Sequence, residues 1–168
     1  MNLYLKRKVF SIKEKFNVYD ENENVLFTGS GKIVSIHDYH YIYNTAGQEV
    51  ANIHKKVLAL MPKFFIEYPA GQTHEMKGKL ALAHDVFEIK DLDWKITGKF
   101  LQHDYKITEC DREIVSMHQK WLAWGDTYEI VIADGVDVIM ALATILCIDV
   151  FHEEEAEMDS ALDSSSGN

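Results

Sequence analysis

The chain has 168 residues, enough for one domain with a substantial hydrophobic core. With two Pro and nine Gly it is neither collagen-like nor a proline-rich linker, and two cysteines cannot build a disulfide scaffold or a four-cysteine zinc site. The net charge of −10 argues against a general nucleic-acid-binding protein, which is normally basic. The composition excludes these classes and indicates no reaction, so we predict no cofactor.

The N-terminal segment is basic and lacks a continuous apolar run. A secretory signal has a basic start and then roughly 7–15 apolar residues, so we expect a cytoplasmic protein. The basic side chains are a candidate site for anionic lipid headgroups, which attract lysine and arginine. They are Lys6, Arg7, Lys8, Lys13 and Lys15. The alternative is a solvated strand face, where lysines discourage pairing with other sheet edges.

Apolar and polar side chains alternate with a period of two along most of the chain, which predicts strands with one buried face. Clusters of Asn, Asp and Gly between the strands predict tight turns. Twelve strands are predicted, over residues 8–19, 24–30, 32–37, 40–44, 49–55, 63–68, 73–83, 86–90, 94–101, 103–108, 113–119 and 126–132. Short strands with frequent turns favour an antiparallel barrel or meander.

An internal repeat divides the predicted strands into two similar halves. Residues 41–58 align without gaps on residues 105–122, with Tyr41 matching Tyr105 and His54 matching His118. Two similar halves would pair into one closed sheet. We therefore interpret the repeat as a property of the fold, and we do not interpret the two histidines as a metal pair.

Residues 135–151 break the alternation and predict one helix. Between Val138 and Ile148 there is no charged or turn-forming residue, and the apolar side chains cover every direction of a helical wheel. Asp134 is the predicted N-cap. A helix that is apolar all round is buried on all sides. It is too short to cross a bilayer, which takes about 20 apolar residues, whereas a can of about eleven strands accommodates a central helix.

We therefore expect a mainly β fold, in which a closed antiparallel barrel of roughly 12 strands encloses the helix; a membrane anchor is the alternative. Residues 1–151 form the predicted single domain. Residues 152–168 carry six of the 27 acidic residues and no Lys or Arg, which predicts a disordered acidic tail.

Several segments together resemble the LURP-one-related family, which shares the tubby C-terminal-like fold with phospholipid scramblases. They are FNVYDENENVLFTGSG from residue 16, the repeated elements at 53–58 and 117–122, the strand with Asp126, Tyr128 and Ile130, and the final VDVIMALATILCIDVF. The resemblance covers residues 1–151 and suggests a compact bacterial member. It implies a barrel whose basic outer surface binds lipid headgroups, as in tubby relatives.

Three histidines beside predicted turns are candidates for a ligand pocket at the mouth of the barrel: His37, His40 and His103. A metal site needs three or four converging ligands, often with a fixed spacing, and these positions show no such spacing, so no metal is predicted. No nucleophile or phosphate-binding motif occurs, so no catalytic residue is predicted. Trp94, Trp121 and Trp124 suit either core packing, which we favour, or a pocket wall.

Our leading hypothesis is a non-catalytic cytoplasmic scaffold or binding module that touches an anionic phospholipid surface through its basic residues. One alternative is a small-ligand carrier or enzyme with a pocket at the barrel mouth. Another, by analogy with scramblases, is a protein that inserts into membranes and translocates lipid. The sequence identifies no protein partner, and we expect no nucleic acid.

Overall fold

The computed structural model describes residues 1–6, 16–32, 39–56, 59, 61–80, 85–120 and 127–166. Its strands and helix are β1 (Asn2–Lys6), β2 (Phe16–Tyr19), β3 (Val25–Lys32), β4 (Tyr39–Asn44), β5 (Glu49–Lys55), β6 (Lys63–Glu67), β7 (Thr73–Leu80), β8 (Asp85–Ile89), β9 (Trp94–Lys99), β10 (Asp104–Glu109), β11 (Arg112–Lys120), β12 (Thr127–Ile132) and α1 (Val138–Ser166). Short 3-10 turns follow β8 at Lys90–Leu92 and β9 at Phe100–Gln102.

Each strand pairs antiparallel with its neighbours in chain order, and β1 pairs with β12 to close the sheet into a barrel. Leu3 lies opposite Ile130, and Leu5 lies opposite Tyr128. All four side chains are buried. The predicted closed antiparallel barrel of 12 strands with a C-terminal helix is confirmed.

The predicted strand boundaries are wrong at the start of the chain. The first predicted strand, 8–19, contains β2 but omits β1, and β3 runs through Lys32 where two strands were predicted. Only two leucines of β1 face inward, and this alternation is too short to predict a strand. Pairing with β12, at the far end of the barrel sequence, holds β1 in place. Residues 8–15 and 33–37 of these predictions lie outside the described residues.

The repeat corresponds to two similar halves of the barrel. The hairpins β4–β5 and β10–β11 each contain a bulge, at Val50 and at Ile114, which are equivalent positions of the repeat. Upstream of the turn, however, the ungapped alignment is one residue out of register. Tyr105 faces the core and lies opposite Met117, as His40 lies opposite Ile53. The reason is the turn, which is one residue shorter in the second hairpin.

The helix occupies the interior of the barrel. Every residue from Met140 to Phe151 is buried, and none of them is more than 8% exposed. The hydroxyl of Thr144 donates to the carbonyl of Met140 at 2.8 Å, which satisfies this buried polar group. The rings of Phe151 and Phe87 meet edge to face, 5.3 Å apart, between helix and wall. The predicted enclosure of an apolar helix is confirmed.

Both ends of the helix differ from the prediction. The N-cap is Asp137, not Asp134, because the Asp137 carboxylate accepts hydrogen bonds from the backbone N–H groups of Ile139 and Met140. The backbone stays helical to Ser166, well past the predicted end at 151. Glu, Ala and Met after Phe151 favour helix, which a compositional criterion for disorder does not weigh. The disorder of the tail in solution stays a prediction.

Candidate functional site

The odd-numbered strands of the barrel all end on the same side, where the even-numbered strands begin. A lysine ends five of the six odd-numbered strands: Lys6, Lys32, Lys55, Lys99 and Lys120. We call this side the basic end. The buried helix approaches it with Phe151 and His152, since the ammonium of Lys55 lies 5.8 Å from the Phe151 ring.

Several lysines at the basic end are held by acidic partners on the outer wall. Lys6 pairs with Glu23 at 3.1 Å, and Lys120 pairs with Glu129 at 3.1 Å. Within the described ranges no ion pair joins the exposed side chains of Lys56 and Lys99. These two lysines are therefore the cations at this end best placed to meet an external anion.

The predicted N-terminal lipid site is described only at Lys6. Arg7, Lys8, Lys13 and Lys15 lie outside the described residues. The ammonium of Lys6 lies over the ring of Tyr19, 4.8 Å from its centre, besides pairing with Glu23. It lines a groove of about 440 Å³ on the outer wall with Tyr4, Tyr19, Asp20, Glu21, Glu23, Lys120 and Thr127. Acidic side chains outnumber lysines in this groove, so it is not an anion site.

The predicted histidine pocket is represented by His40 and His103, since His37 lies outside the described residues. His40 is 5% exposed on the inner face of β4. The Nδ1 atom of His103 lies 3.4 Å from an oxygen of buried Asp149 in the helix. Both histidines belong to the basic end, whereas the cavities described here are lined by other residues. The use of these histidines as a ligand site stays a prediction.

At the opposite side of the barrel, where the helix begins, the turns and strand ends are rich in acidic residues. The acidic residues of this side are Asp91, Asp93, Glu109, Asp111, Glu113, Asp134 and Asp137. We call this side the acidic end. A cavity of about 410 Å³ opens there, and we call it the acidic-end pocket. Its wall includes Tyr68, Gln72, His74, Leu92, Trp94, Glu109, Arg112, Asp134, Gly135, Val136, Asp137 and Met140.

A buried histidine forms one wall of the acidic-end pocket. His74 is 6% exposed, on the inner face of β7, and its Nδ1 atom lies 2.5 Å from a carboxylate oxygen of Asp91. A carboxylate only accepts, so Nδ1 carries the proton in this bond. In the neutral imidazole the other nitrogen, Nε2, is then an acceptor, and no hydrogen bond to it is seen within the described part of the chain.

A tyrosine connects the pocket to the start of the helix. The hydroxyl of Tyr68 donates to Asp137 at 2.9 Å, and the other oxygen of this carboxylate caps the helix. Burial raises the pKa of Tyr68 well above its ordinary value, and the hydrogen bond to Asp137 adds to the shift. The phenol therefore stays protonated and keeps donating to Asp137.

The third wall consists of Trp94, Glu109 and Arg112. The indole N–H of Trp94, which is 5% exposed, donates to one oxygen of Glu109 at 3.3 Å. Arg112 donates to the other oxygen at 3.2 Å. Trp94 thus fits both sequence interpretations, because it packs in the core and also lines a pocket. Trp121 and Trp124 lie outside the described residues.

Sequence reasoning missed this pocket. Its side chains come from positions between Tyr68 and Met140, on six separate segments of the barrel and the start of the helix. No spacing in the sequence connects them. The available signal was Asp134 ahead of the helix, which was interpreted as the N-cap alone.

The residues that the structure describes include neither a membrane-spanning helix nor a metal-binding cluster. No helix among them has an apolar stretch long enough to cross a membrane. No group of three or more His, Cys, Asp or Glu side chains among them is arranged to hold a metal ion.

The chain is similar to known proteins over most of its length. The Bacillus subtilis protein YxjI, described as uncharacterized, is 29% identical over 158 residues, which cover 94% of this chain and 98% of that protein. A solved Arabidopsis thaliana structure shares the fold, with a TM-score of 0.56 and 16% identity over 89% of this chain and 90% of that one. The family model described as LURP-one-related matches residues 1–149. The resemblance found in the sequence is thereby confirmed, and the chain belongs to the LURP-one-related family.

Proposed function

We propose that the protein is a non-catalytic binding module that adheres to anionic lipid headgroups through its basic end. The observation that carries the proposal is the lysine at the end of five of the six odd-numbered strands. Closure of the barrel collects these strand ends on one side, so that charges far apart in the sequence act together.

The lysines at the strand ends give a negative membrane surface a cluster of cations to attract. The helix α1 continues past His152 at this same end and carries six acidic residues there, so the attraction comes from the lysines themselves and not from the net charge of this end. The net charge of −10 opposes approach, but screening limits that repulsion to about 8 Å at physiological ionic strength. Near the surface each lysine contributes about 1 kcal/mol of binding free energy.

The filled interior supports a binding role over a catalytic one. The buried residues of α1 occupy the axis of the barrel, so partners meet the outer wall and the two ends. A cytoplasmic location agrees with this proposal, since the cytoplasmic leaflet carries the anionic lipids.

The test is flotation of the full chain with vesicles of phosphatidylcholine, alone or mixed with phosphatidylglycerol. We expect flotation with the anionic vesicles at low salt and its loss at high salt. The variant Lys56→Gln/Lys99→Gln removes the two exposed lysines of the basic end that have no described ion pair, which should weaken binding about 30-fold. The matched control, Lys90→Gln/Lys95→Gln, removes the same charge away from the basic end.

Equal loss of binding in both double variants would show that net charge matters and the basic end does not. Flotation that is independent of phosphatidylglycerol or of salt would also contradict the proposal. Far-UV circular dichroism of each variant confirms that the barrel is folded before binding is compared.

A further inference from the structure

The helix α1 leaves the barrel at the basic end and continues outside it as an acidic helical segment. Its backbone is helical without a break from Val138 to Ser166, and we call residues 153–166 the acidic extension. We propose that the acidic extension is autoinhibitory: it stands in front of the lysines of the basic end and opposes the approach of external anions. This inference rests on the proposed lipid binding and adds its regulation.

Contacts at the mouth of the barrel fix the point where the helix leaves it. The ring of His152 lies 5.8 Å from the ring of Phe100, in the 3-10 turn after β9. The ammonium of Lys55, at the end of β5, lies 5.8 Å from the ring of Phe151. His152 is only 8% exposed, whereas the next residue, Glu153, is half-buried. The helix therefore emerges at the level of the strand ends that carry the lysines.

The length of the acidic extension places it between these lysines and any flat surface. The backbone is helical from Glu153 to Ser166. At 1.5 Å per residue this segment projects about 20 Å from the mouth, and a helix with its side chains is about 10 Å wide. A membrane that approaches the basic end meets the acidic extension before it meets the strand ends. Close contact between the lysines and lipid headgroups therefore requires the acidic extension to turn aside.

The charge of the acidic extension repels the same anions that the lysines attract. The segment has no Lys or Arg, and its acidic residues are Glu153, Glu154, Glu155, Glu157, Asp159 and Asp163. The first four of them rise about 6 Å above the mouth. This height is within the screening length of about 8 Å at physiological ionic strength. The acidic extension therefore lowers the positive potential that the lysines present to an external anion.

Neutralisation of two glutamates just outside the barrel tests the charge of the acidic extension. In flotation with vesicles of phosphatidylcholine and phosphatidylglycerol, the full-length variant Glu154→Gln/Glu157→Gln should bind about fivefold more tightly than the wild type. The matched control is Asp93→Asn/Asp111→Asn, which removes the same charge from exposed positions at the acidic end. Asparagine also suits the positive φ of both residues. This control should bind within about twofold of the wild type.

A proline substitution tests the position of the acidic extension at constant net charge. Proline inside a helix removes a backbone hydrogen bond and clashes with the preceding turn. Ala156→Pro should therefore let most of the acidic extension swing away from the barrel axis, and flotation should become about threefold tighter. The control Ala161→Pro interrupts the helix nearer its end and keeps residues 153–159 in front of the mouth, so it should bind as the wild type does.

Acetylation of lysines tests the same inference without lipid. Sulfo-N-hydroxysuccinimide acetate is a small anionic reagent that acetylates amines. Lys99 lies at the basic end, and Lys95 is exposed on the same strand, roughly 13 Å away. In Glu154→Gln/Glu157→Gln, mass spectrometry should show Lys99 acetylated about twofold faster than in the wild type. Lys95 should react at the wild-type rate.

An unchanged acetylation rate of Lys99 in this variant would overturn the inference. So would equal gains in flotation from the glutamine variant and its asparagine control, since net charge alone would then explain both. If neither the wild type nor any variant floats with anionic vesicles, the lipid-binding proposal fails. Faster acetylation of Lys99 alone would in that case still support autoinhibition toward anions. Far-UV circular dichroism confirms that each variant is folded.

Discussion

Truncating side chains on different faces of α1 tests the enclosure of the helix by the barrel. Leu142 and Ile148 are 3% and 0% exposed. At roughly 100° per residue, their side chains point about 120° apart around the helix axis. A helix on a surface would bury one of these directions more than the other. A helix inside a barrel buries both, so Leu142→Ala and Ile148→Ala should both be destabilising.

Burial sets the expected size of the effect. Truncation of a fully buried leucine or isoleucine to alanine lowers the free energy of unfolding by about 2–5 kcal/mol, because apolar contacts are lost and a cavity remains. A whole domain is stable by only about 5–15 kcal/mol. Ile148→Val removes a single methyl group and should cost about 0.5–1.5 kcal/mol. Val131 is 39% exposed on the outer wall, so the control Val131→Thr should stay within about 0.5 kcal/mol.

The assay is urea unfolding at equilibrium, followed by circular dichroism and tryptophan fluorescence. The midpoint and slope of each curve give the free energy of unfolding for each variant. The enclosure is refuted if one alanine variant stays within about 1 kcal/mol of the wild type while the other is strongly destabilised. Such a result would mean that the helix has a tolerant, exposed face.

Three further predictions concern titration, thiol reactivity and a turn. The hydrogen bond from Lys77 lowers the pKa of Glu75 in the folded protein below its value in the unfolded chain. The ionised carboxylate therefore stabilises the fold at neutral pH, and this stabilisation is lost as the pH falls through the folded-state pKa. Urea unfolding should therefore show that Glu75→Gln is less stable than the wild type at pH 7 and equally stable in strong acid. The same difference in the free energy of unfolding at both pH values would contradict this prediction. Burial raises the pKa of the Cys147 thiol well above its usual range, whereas Cys110 is exposed. Ellman's reagent should therefore modify one thiol in the native protein and two in urea. Rapid modification of both thiols in the native protein would be inconsistent with the enclosed helix. Cys110 and Asp111 both have positive φ, 47° and 65°, a conformation that Asn and Gly adopt more readily than most residues. Replacing the two residues with Asn-Gly should therefore raise the free energy of unfolding by about 1 kcal/mol. An unchanged midpoint of urea unfolding would argue against this turn geometry.

The sequence predicted the secondary structure correctly where it depends on a local pattern of side chains. The period-two alternation identified most of the barrel strands, because each residue's burial depends on its own place in the pleat. Predictions failed where a distant contact decides the outcome. β1 is held by β12, and the equivalence of Tyr41 and Tyr105 fails because one turn residue shifts the register and exchanges the two faces.

The cap of the helix shows the same limit on a smaller scale. The sequence predicted Asp134 as the N-cap, three residues too early, because an aspartate suits the start of a helix at either position. The structure selects Asp137 and places Asp134 in the pocket wall. Tyr68 donates a hydrogen bond to Asp137 from a strand end on the far side of the turn, a contact that no local pattern in the sequence encodes.

From its sequence alone, this chain determines that it forms strands, that its last apolar segment is a helix, and that this helix is buried, since periodicity and hydrophobicity are properties of short segments. Tertiary structure alone decides which side chains share an end of the barrel. Closing the sheet places lysines from five strands on one side, and it assembles His74, Trp94 and Glu109 into one pocket on the other. These groupings follow from pairing between residues far apart in the chain, and no local pattern encodes such distances.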